Sequence, residues 1–241
     1  MPSARPVLAD VLPPRLPGRI VDVVALMRAI EDSLPPGDGV AAFTSLYLAV
    51  TEALGEAVES QRWGDERTLR WLDVVFANLY FRALREHVRG GAVPRAWAPL
   101  IEARARPGVA QLQFALAGMN AHINRDLPLA LVETWQALGI EPRRGSSQHR
   151  DFRRVNDLLA ATEDRVKARF AAGPLGYADR ELGALDDVVA MWNVRKAREA
   201  AWINAETLWT IRDASYLRRE FVAMLDRMVG FAGRGLLRPL G

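Results

Sequence analysis

The stretch ALAGMNAHINRDLPLAL, residues 115–131, sets four polar side chains into a segment that is otherwise almost entirely apolar. The spacing of its apolar residues predicts a buried helix over about 108–138, with a bend at Pro128. The four polar residues are Asn120, His122, Asn124 and Asp126. Polar groups inside a protein need hydrogen-bond partners, so this stretch is the strongest candidate for a functional site.

Proline and glycine divide the rest of the chain into further helical blocks. Apolar residues at helical spacing predict a helix from Ile20, and later helices are expected at about 40–59, 65–87, 184–212 and 215–230, with another that carries Phe152, Val155, Leu159, Val166 and Phe170. Ser146 or Ser147 is placed to cap the helix that follows the loop GIEPRRGSS. No window alternates in the manner of a β-strand. The sequence therefore predicts an all-α, single-domain helical bundle of seven or eight helices over 20–241, after a proline-rich leader at 1–19.

Composition excludes several classes of protein. The 241 residues contain no cysteine, so neither disulfides nor thiolate chemistry can contribute. The 32 basic and 29 acidic residues give a net charge of only +3, and the basic run PRRGSSQHRDFRR (142–154) has neither the interleaved aromatic residues nor the recognition motif of a nucleic-acid surface. No apolar run has the length of a membrane span or of a signal peptide. We expect a cytoplasmic protein that binds neither nucleic acid nor membranes.

His122 and Asp126 lie four residues apart and therefore share one face of the predicted helix. A carboxylate beside an imidazole favours the imidazolium and holds one tautomer, which suits general acid–base catalysis. Gly118, one turn earlier, indicates close approach by a backbone, a side chain or a ligand. Asn120 and Asn124 form a second pair, which either orients a substrate or satisfies nearby backbone groups.

A metal site is the less favoured interpretation of the same pair. With three histidines in the chain, a single divalent ion would need His122, Asp126 and one further ligand, for which the candidates are His149, Asp151 and Glu206. Nucleotide-binding and serine-hydrolase motifs are missing as well. We therefore expect no cofactor, with one divalent metal at His122 and Asp126 as the alternative.

A second group of candidates lies on the helix predicted over 184–212. Arg195 and Arg198 belong to a stripe otherwise made of tryptophan, including Trp202, and small apolar residues. A buried guanidinium group needs a partner. The carboxylates available to it are Glu199, Glu206 and Asp126. Two alternatives follow: an internal ion pair covered by tryptophan, or a site for the anionic end of a ligand.

Other helices also carry polar residues among apolar ones. Tyr47 lies beside Phe43 on its helix, either as a core residue with a bonded hydroxyl or as a substrate contact. Asn156 lies between apolar neighbours, so we expect it to face inward and meet the His122 network. The third helix places a carboxylate, a phenol and an imidazole at seven-residue spacing. The histidine lies at the C-terminal end of the helix, where a cation interacts favourably with the helix dipole, so we expect a structural role for it. These three residues are Asp73, Tyr80 and His87.

The chain resembles a bacterial family known as domain of unknown function 5995. The resemblance is carried by FTSLYLAVTEAL, LDVVFANLYFRAL, QFALAGMNAHINRDLPLAL, DFRRVNDLLA and REAAWINAETLW, and extends from about Val21 to Leu237. Its most specific part is GMNAHINRDL, residues 118–127. The resemblance implies that His122, Asp126 and their asparagine neighbours belong to the central motif of the family, and it implies no activity.

Three functional hypotheses fit these residues. The first is a small-molecule enzyme that performs hydrolysis, elimination, isomerisation or cyclisation, with His122 as the acid–base group and Asp126 orienting it. Its expected substrate-binding residues are Tyr47, Asn120, Asn124, Asn156, Arg195, Arg198 and Trp202. The second is a protein that binds the same kind of ligand, with an anionic group, without turnover. The third is a structural bundle whose polar network sets helix packing. A homo-oligomer is compatible with all three.

Overall fold

The computed structural model describes residues 7–171 and 193–239, with side chains for 7–159 and 193–239. Within those ranges the regular structure is helical, which confirms the predicted all-α bundle. No helix in the same ranges is both long and apolar enough to cross a bilayer. The helices are α1 Leu8–Val11, α2 Ile20–Ser33, α3 Gly39–Ser60, α4 Glu66–Val88, α5 Ala98–Ala103, α6 Gln111–Ala121, a π-helical turn His122–Asp126, α7 Leu127–Leu138, α8 Ser147–Ala171, α9 Val194–Thr210 and α10 Ser215–Leu236.

Several helices begin at a polar residue whose side chain accepts a hydrogen bond from the first turn. Asp38 Oδ1 accepts from the Val40 amide at 2.8 Å at the start of α3. Ser146 Oγ accepts from the His149 amide at 3.2 Å at the start of α8, as predicted for one of the two serines. Such caps satisfy amides that have no partner within the helix and stabilise it by about 1 kcal/mol each.

The helix predicted over 184–212 is present as α9, Val194–Thr210, while its predicted segment 184–192 lies outside the described residues. The proline-rich leader contains α1, which packs against α2 and α4. Leu8 of α1 is buried in the same apolar cluster as α2 to α6. The later part of the leader therefore contributes to the core.

The central helix deviates from α geometry just before Pro128. The Leu127 amide donates to the carbonyl of His122, five residues earlier, and this bond closes the π-helical turn between α6 and α7. Proline has no amide hydrogen to donate and its ring crowds the preceding turn, so a locally widened turn accommodates it. Where the sequence predicted a bend at Pro128, the structure has a π-helical turn over His122–Asp126.

Two large apolar clusters fill the bundle and meet at the π-helical turn. One is built mainly from α2 to α6 and α10, and the other from α7, α9 and the start of α8. Phe76 and Met119 pack against both clusters. Gly118 allows α6 to lie against α3, because a Cβ at this position would overlap the Phe43 ring. The close approach predicted at Gly118 is made by a side chain of the core.

Candidate functional site

The π-helical turn places His122 and Asp126 side by side in the interior. His122 Nδ1 lies 3.2 Å from Asp126 Oδ2, and both side chains are almost completely inaccessible to solvent. Asp126 Oδ2 also accepts a hydrogen bond from Trp97 Nε1 at 2.9 Å, while its Oδ1 accepts from an Arg125 guanidinium nitrogen at 2.6 Å. A carboxylate in this position accepts the Nδ1 proton of a neutral imidazole. The hydrogen bonds therefore assign the neutral His122 proton to Nδ1 and leave a lone pair on Nε2.

Arg125 ties this turn to α10 and to the chain before α5. Its Nε lies 3.5 Å from Asp226 Oδ1 of α10. Asp226 in turn accepts hydrogen bonds from the amides of Arg95 and Ala96, just before α5. The Asp126 carboxylate is therefore one end of a charged network that connects three parts of the bundle.

Aromatic rings enclose His122. The Phe76 ring is stacked on it at 3.5 Å between centroids with an interplanar angle of 5°, and the Tyr47 ring meets it edge-on at 4.4 Å. Burial lowers the pKa of the His122 imidazole below its ordinary value of 6.5, although Asp126 acts in the opposite direction. His122 is therefore neutral at pH 7. Its Nε2 has no hydrogen-bond partner among the described residues.

His122 lines a cavity of about 70 Å³ where the apolar clusters meet. Its wall contains four polar or charged side chains, which are Tyr47, Asp73, His122 and Arg198. The rest of the wall is apolar, namely Val50, Leu54, Leu69, Leu72, Phe76, Met119, Ile123, Leu127, Phe152, Val155 and Leu159. A cavity of this size holds about two water molecules or a small chemical group. The cavity is a candidate binding site because titratable groups converge on an apolar wall.

Asp73 is the cavity residue to which the sequence assigned no site role. It is buried on α4, and its Oδ2 has no hydrogen-bond partner among the described residues. Burial raises the pKa of the Asp73 carboxyl from its ordinary value of 3.8 to about 7. A signal was present, because Asp73 lies within an apolar run between Leu69 and Phe76 and at helical spacing from both.

Arg198 brings a positive charge to the cavity and has no carboxylate partner within the part of the chain that the structure describes. Its Nε donates to Asn156 Oδ1 at 2.7 Å, a second guanidinium nitrogen donates to the Phe152 carbonyl at 2.9 Å, and the guanidinium lies over the Phe152 ring. Burial lowers the pKa of Arg198 to about 10, so the group is still cationic at pH 7. The sequence left two alternatives for this arginine, an internal ion pair or a site for an anionic ligand. The internal ion pair is not formed within the described residues. Asn156 faces inward as expected and binds Arg198.

Tyr47 contributes a phenol to the cavity. Burial, followed by the nearby carboxylates of Asp73 and Asp126, raises the pKa of Tyr47 well above its ordinary value, and the Thr51 hydroxyl acts against this rise. The phenol is therefore protonated across the physiological range. It is available as a hydrogen-bond donor close to both Asp73 and His122.

The other candidate residues lie away from the cavity wall. Asn120 Nδ2 donates to the Val229 carbonyl of α10 at 2.9 Å, and Asn124 donates to Asn120 at 3.0 Å, so this pair fastens α10 to the central helix. Arg195 is exposed and pairs with Asp157. Trp202 packs against Phe152, Trp135 and His149, and donates its indole proton to Glu206.

The third ligands considered for a metal are engaged elsewhere. His149 Nδ1 accepts from the Gly145 amide, Asp151 accepts from the amides of Gly64 and Asp65, and Glu206 pairs with Arg144. In the described ranges, no three side chains of histidine, aspartate or glutamate are grouped so as to hold a metal ion. Both oxygens of Asp126 already accept hydrogen bonds, and a cation, Arg125, lies beside them. This donor set does not fit a metal ion at His122 and Asp126.

The chain matches the family of unknown function DUF5995 over residues 20–239 and belongs to that family. The match includes every residue that lines the cavity. Comparison with curated proteins and with solved structures returns no match.

Proposed function

We propose that this member of the DUF5995 family is a small-molecule enzyme that performs acid–base catalysis in the cavity lined by His122 and Asp73. The proposal rests on one observation. His122 and Asp73, whose carboxyl pKa is raised by burial to about 7, line the same apolar cavity, and each has a polar atom without a hydrogen-bond partner among the described residues. Each buried polar atom left without a partner costs about 1–3 kcal/mol, which a bound ligand can offset.

His122 is the proposed proton acceptor. Its Nε2 lone pair is free, and the imidazolium formed when it takes a proton is stabilised by the Asp126 carboxylate on the other side of the ring. Asp126 is a positioning residue, because Trp97 and Arg125 hold it in place and it does not line the cavity.

Asp73 is the proposed proton donor. Burial raises the pKa of its carboxyl to about 7, so a large fraction carries a proton at neutral pH. A pair of groups in which one is neutral and basic while the other is protonated suits proton transfer on opposite sides of a substrate. Hydrolysis, elimination, isomerisation and cyclisation all use such a pair.

Arg198 and Tyr47 define the class of substrate. The Arg198 guanidinium is buried, is bonded to neutral acceptors alone among the described residues, and lines the cavity. An anionic group on the substrate supplies the missing negative charge. At about 70 Å³ the cavity admits only a small apolar group beside that anion, and the Tyr47 phenol donates a hydrogen bond to the bound molecule. We therefore propose a substrate of few atoms, with a small apolar part and one anionic end, in a cytoplasmic setting.

Binding without turnover is the second candidate, and the largely apolar wall favours it. A purely structural role accounts for Asp126, whose donors are all in place, but leaves the burial of Asp73 and Arg198 unexplained. The two ligand-based functions differ in whether the bound molecule is changed.

The test is incubation of the purified protein with an extract of small metabolites in D₂O, followed by mass spectrometry. We expect at least one compound to gain deuterium or change in mass with the wild type. The change should be lost in His122→Gln, be strongly reduced in Asp73→Asn, and persist in Asp157→Asn, which removes an exposed carboxylate outside the cavity.

Two results oppose the catalytic proposal. A change that persists in His122→Gln would remove His122 from the reaction. A compound that is retained by the wild type in equilibrium dialysis, lost in Arg198→Met and unaltered in mass would instead support binding without turnover.

A further inference from the structure

The outer face of α10 carries an exposed apolar stripe. Its residues alternate in steps of four and three along the helix, which is the spacing of the contact seam of a coiled coil. The stripe consists of Leu217, Phe221, Met224, Met228 and Phe231. Phe231 is 78% exposed, Met228 62%, Leu217 54% and Met224 42%. Exposed apolar side chains that form a continuous patch mark an interaction surface.

The opposite face of α10 already packs on the bundle. Leu225, Val229, Gly230 and Gly233 are buried. Gly230 lies so close to the Arg95 carbonyl that a Cβ would overlap it. Phe221 is half-buried and packs against the apolar cluster of α7 and α9, while the other four residues of the stripe are exposed, so the stripe is a second apolar face that touches the core at one residue.

One edge of the stripe has a charge pattern with two opposite halves. Glu220, Arg227 and Arg234 follow one another at seven-residue spacing on α10 and are exposed, and the exposed Asp213 lies in the turn just before the helix. Glu220, Arg227 and Arg234 form no ion pair within the described residues, and Asp213 has only a 3.7 Å contact with its neighbour Arg212. The first half of the edge is acidic and the second half is basic.

We propose that two copies of this chain associate through α10, with the two helices antiparallel around a twofold axis. Leu217 then packs against the partner's Met228, and Phe221 against the partner's Met224. In the same register Glu220 faces the partner's Arg227, while Asp213, in the turn before α10, lies on the side of the partner's basic end. Each of these contacts occurs twice, as a twofold interface requires.

The charges select the antiparallel arrangement. In a parallel pair Glu220 would face the partner's Leu225 and Arg227 would face the partner's Ala232, so neither would have an opposite charge. In the antiparallel pair Glu220 and Arg227 each have a partner of opposite sign. Complementary charge fixes orientation and register, while the apolar stripe supplies the contact area.

Sedimentation velocity over a range of concentrations measures the association. We expect a dimer of the wild type that is abolished by Met228→Glu and retained in Val21→Glu, a matched control at an apolar residue on α2 that is also exposed. Glu220→Arg and Arg227→Glu should each weaken the dimer by about tenfold or more, because each places like charges together twice. The double variant should recover most of the affinity. A monomeric wild type, or a double variant weaker than both single ones, would overturn the proposal.

The register is tested by single cysteines, which are unique because the natural chain has none. Leu217→Cys and Met228→Cys should form a disulfide-linked dimer with oxidised glutathione when the two variants are mixed, and neither should do so alone. Crosslinking of each variant with itself would indicate a parallel pair. A dimer without crosslinking in the mixture would rule out the stated register. Circular dichroism of each variant checks that the fold is intact.

Discussion

Asp126 and Asp73 are both buried carboxylates within the same bundle, but their surroundings differ completely. Asp126 is fully buried and accepts hydrogen bonds from Trp97 and Arg125, with the His122 imidazole on a third side. Asp73 is 6% exposed and has no hydrogen-bond donor among the described residues. A charge that is compensated in this way holds helices together. A buried carboxyl without a hydrogen-bond donor is stable only when it is protonated or when a ligand supplies the donor. Such a group is expected in a binding site, whereas the bonded Asp126 stabilises the fold.

The largest effect expected from this difference is on stability. Asp126→Ala should lower the free energy of unfolding by about 3–5 kcal/mol, because it leaves the Arg125 charge and the Trp97 and His122 donors buried without their acceptor. Urea unfolding at pH 7 measures the loss. Asp157→Ala, on the surface, should stay within about 0.5 kcal/mol of the wild type. If Asp126→Ala cost no more than that control, the network would not be a scaffold.

Asp73→Asn should raise the free energy of unfolding, in contrast to Asp126→Ala, and the size of this gain should depend on pH. The folded pKa of Asp73 is raised to about 7, so the stability associated with its protonated form is present below its ordinary pKa and is lost as the pH rises through 7. Between the ordinary pKa and the folded pKa of Asp73, each pH unit lowers the free energy of unfolding by about 1.4 kcal/mol, and the interval from pH 5 to 7 contains about two such units. Asparagine has no charge to bury, so the variant should gain about 2–3 kcal/mol over the wild type between pH 5 and pH 8.

Urea unfolding of both proteins at the two pH values measures this difference. Equal pH dependence in the wild type and in Asp73→Asn would mean that Asp73 ionises normally, and the contrast with Asp126 would disappear.

His122 should show a smaller effect in acid. Its folded pKa is lowered, so the stability it contributes is present above its ordinary pKa of 6.5 and is lost as the pH falls further. As the pH falls from 6.5 to 5 the wild type should lose more stability than His122→Gln, because the variant has no imidazole to protonate. Nitrogen NMR at pH 7 should show a neutral ring with the proton on Nδ1, assigned by its absence in His122→Gln. An imidazolium signal at pH 7 would mean that His122 is charged and forms an ion pair with Asp126, which contradicts the neutral ring.

The smallest expected effect is that of a chelator. Asp126 has no oxygen left for a metal ion, so dialysis against EDTA should leave the thermal midpoint unchanged to within about 1 °C. Elemental analysis of protein purified without chelators should find no stoichiometric transition metal. A metal near one equivalent that is lost in His122→Ala would require Asp126 to exchange its hydrogen bonds for coordination.

The parts of the site that could be predicted depend on local spacing. Apolar periodicity is a property of each segment, so α4 occurs at Glu66–Val88 where 65–87 was expected. The same reasoning brings His122 to Asp126, because residues four apart meet on a helix.

Contacts between distant segments could not be predicted in this way. Trp97 reaches Asp126 across 29 positions and Asn156 reaches Arg198 across 42. Asn156 and Arg198 were each expected to be buried, but nothing in their own segments indicates that they bind one another. Asp73 was noticed by its spacing, and only the packing of α4 against α3 and α8 reveals that it shares a cavity with His122.

The π-helical turn at His122–Asp126 joins α6 to α7 and maintains the orientation of the α7 side chains relative to those of α6. Each residue of an α-helix advances the side-chain direction by about 100°. α6 packs against α3 and α10, whereas α7 packs against α4 and α9, so the turn joins two segments with different groups of neighbours. A π-helical turn contains one residue more than the α-helical turn that it replaces, and it takes up this residue without rotating α7 relative to α6. A deletion of one residue within the regular part of α7 would rotate everything after it by about 100°, whereas a deletion within the π-helical turn should leave regular α-helix with α7 still facing α4 and α9.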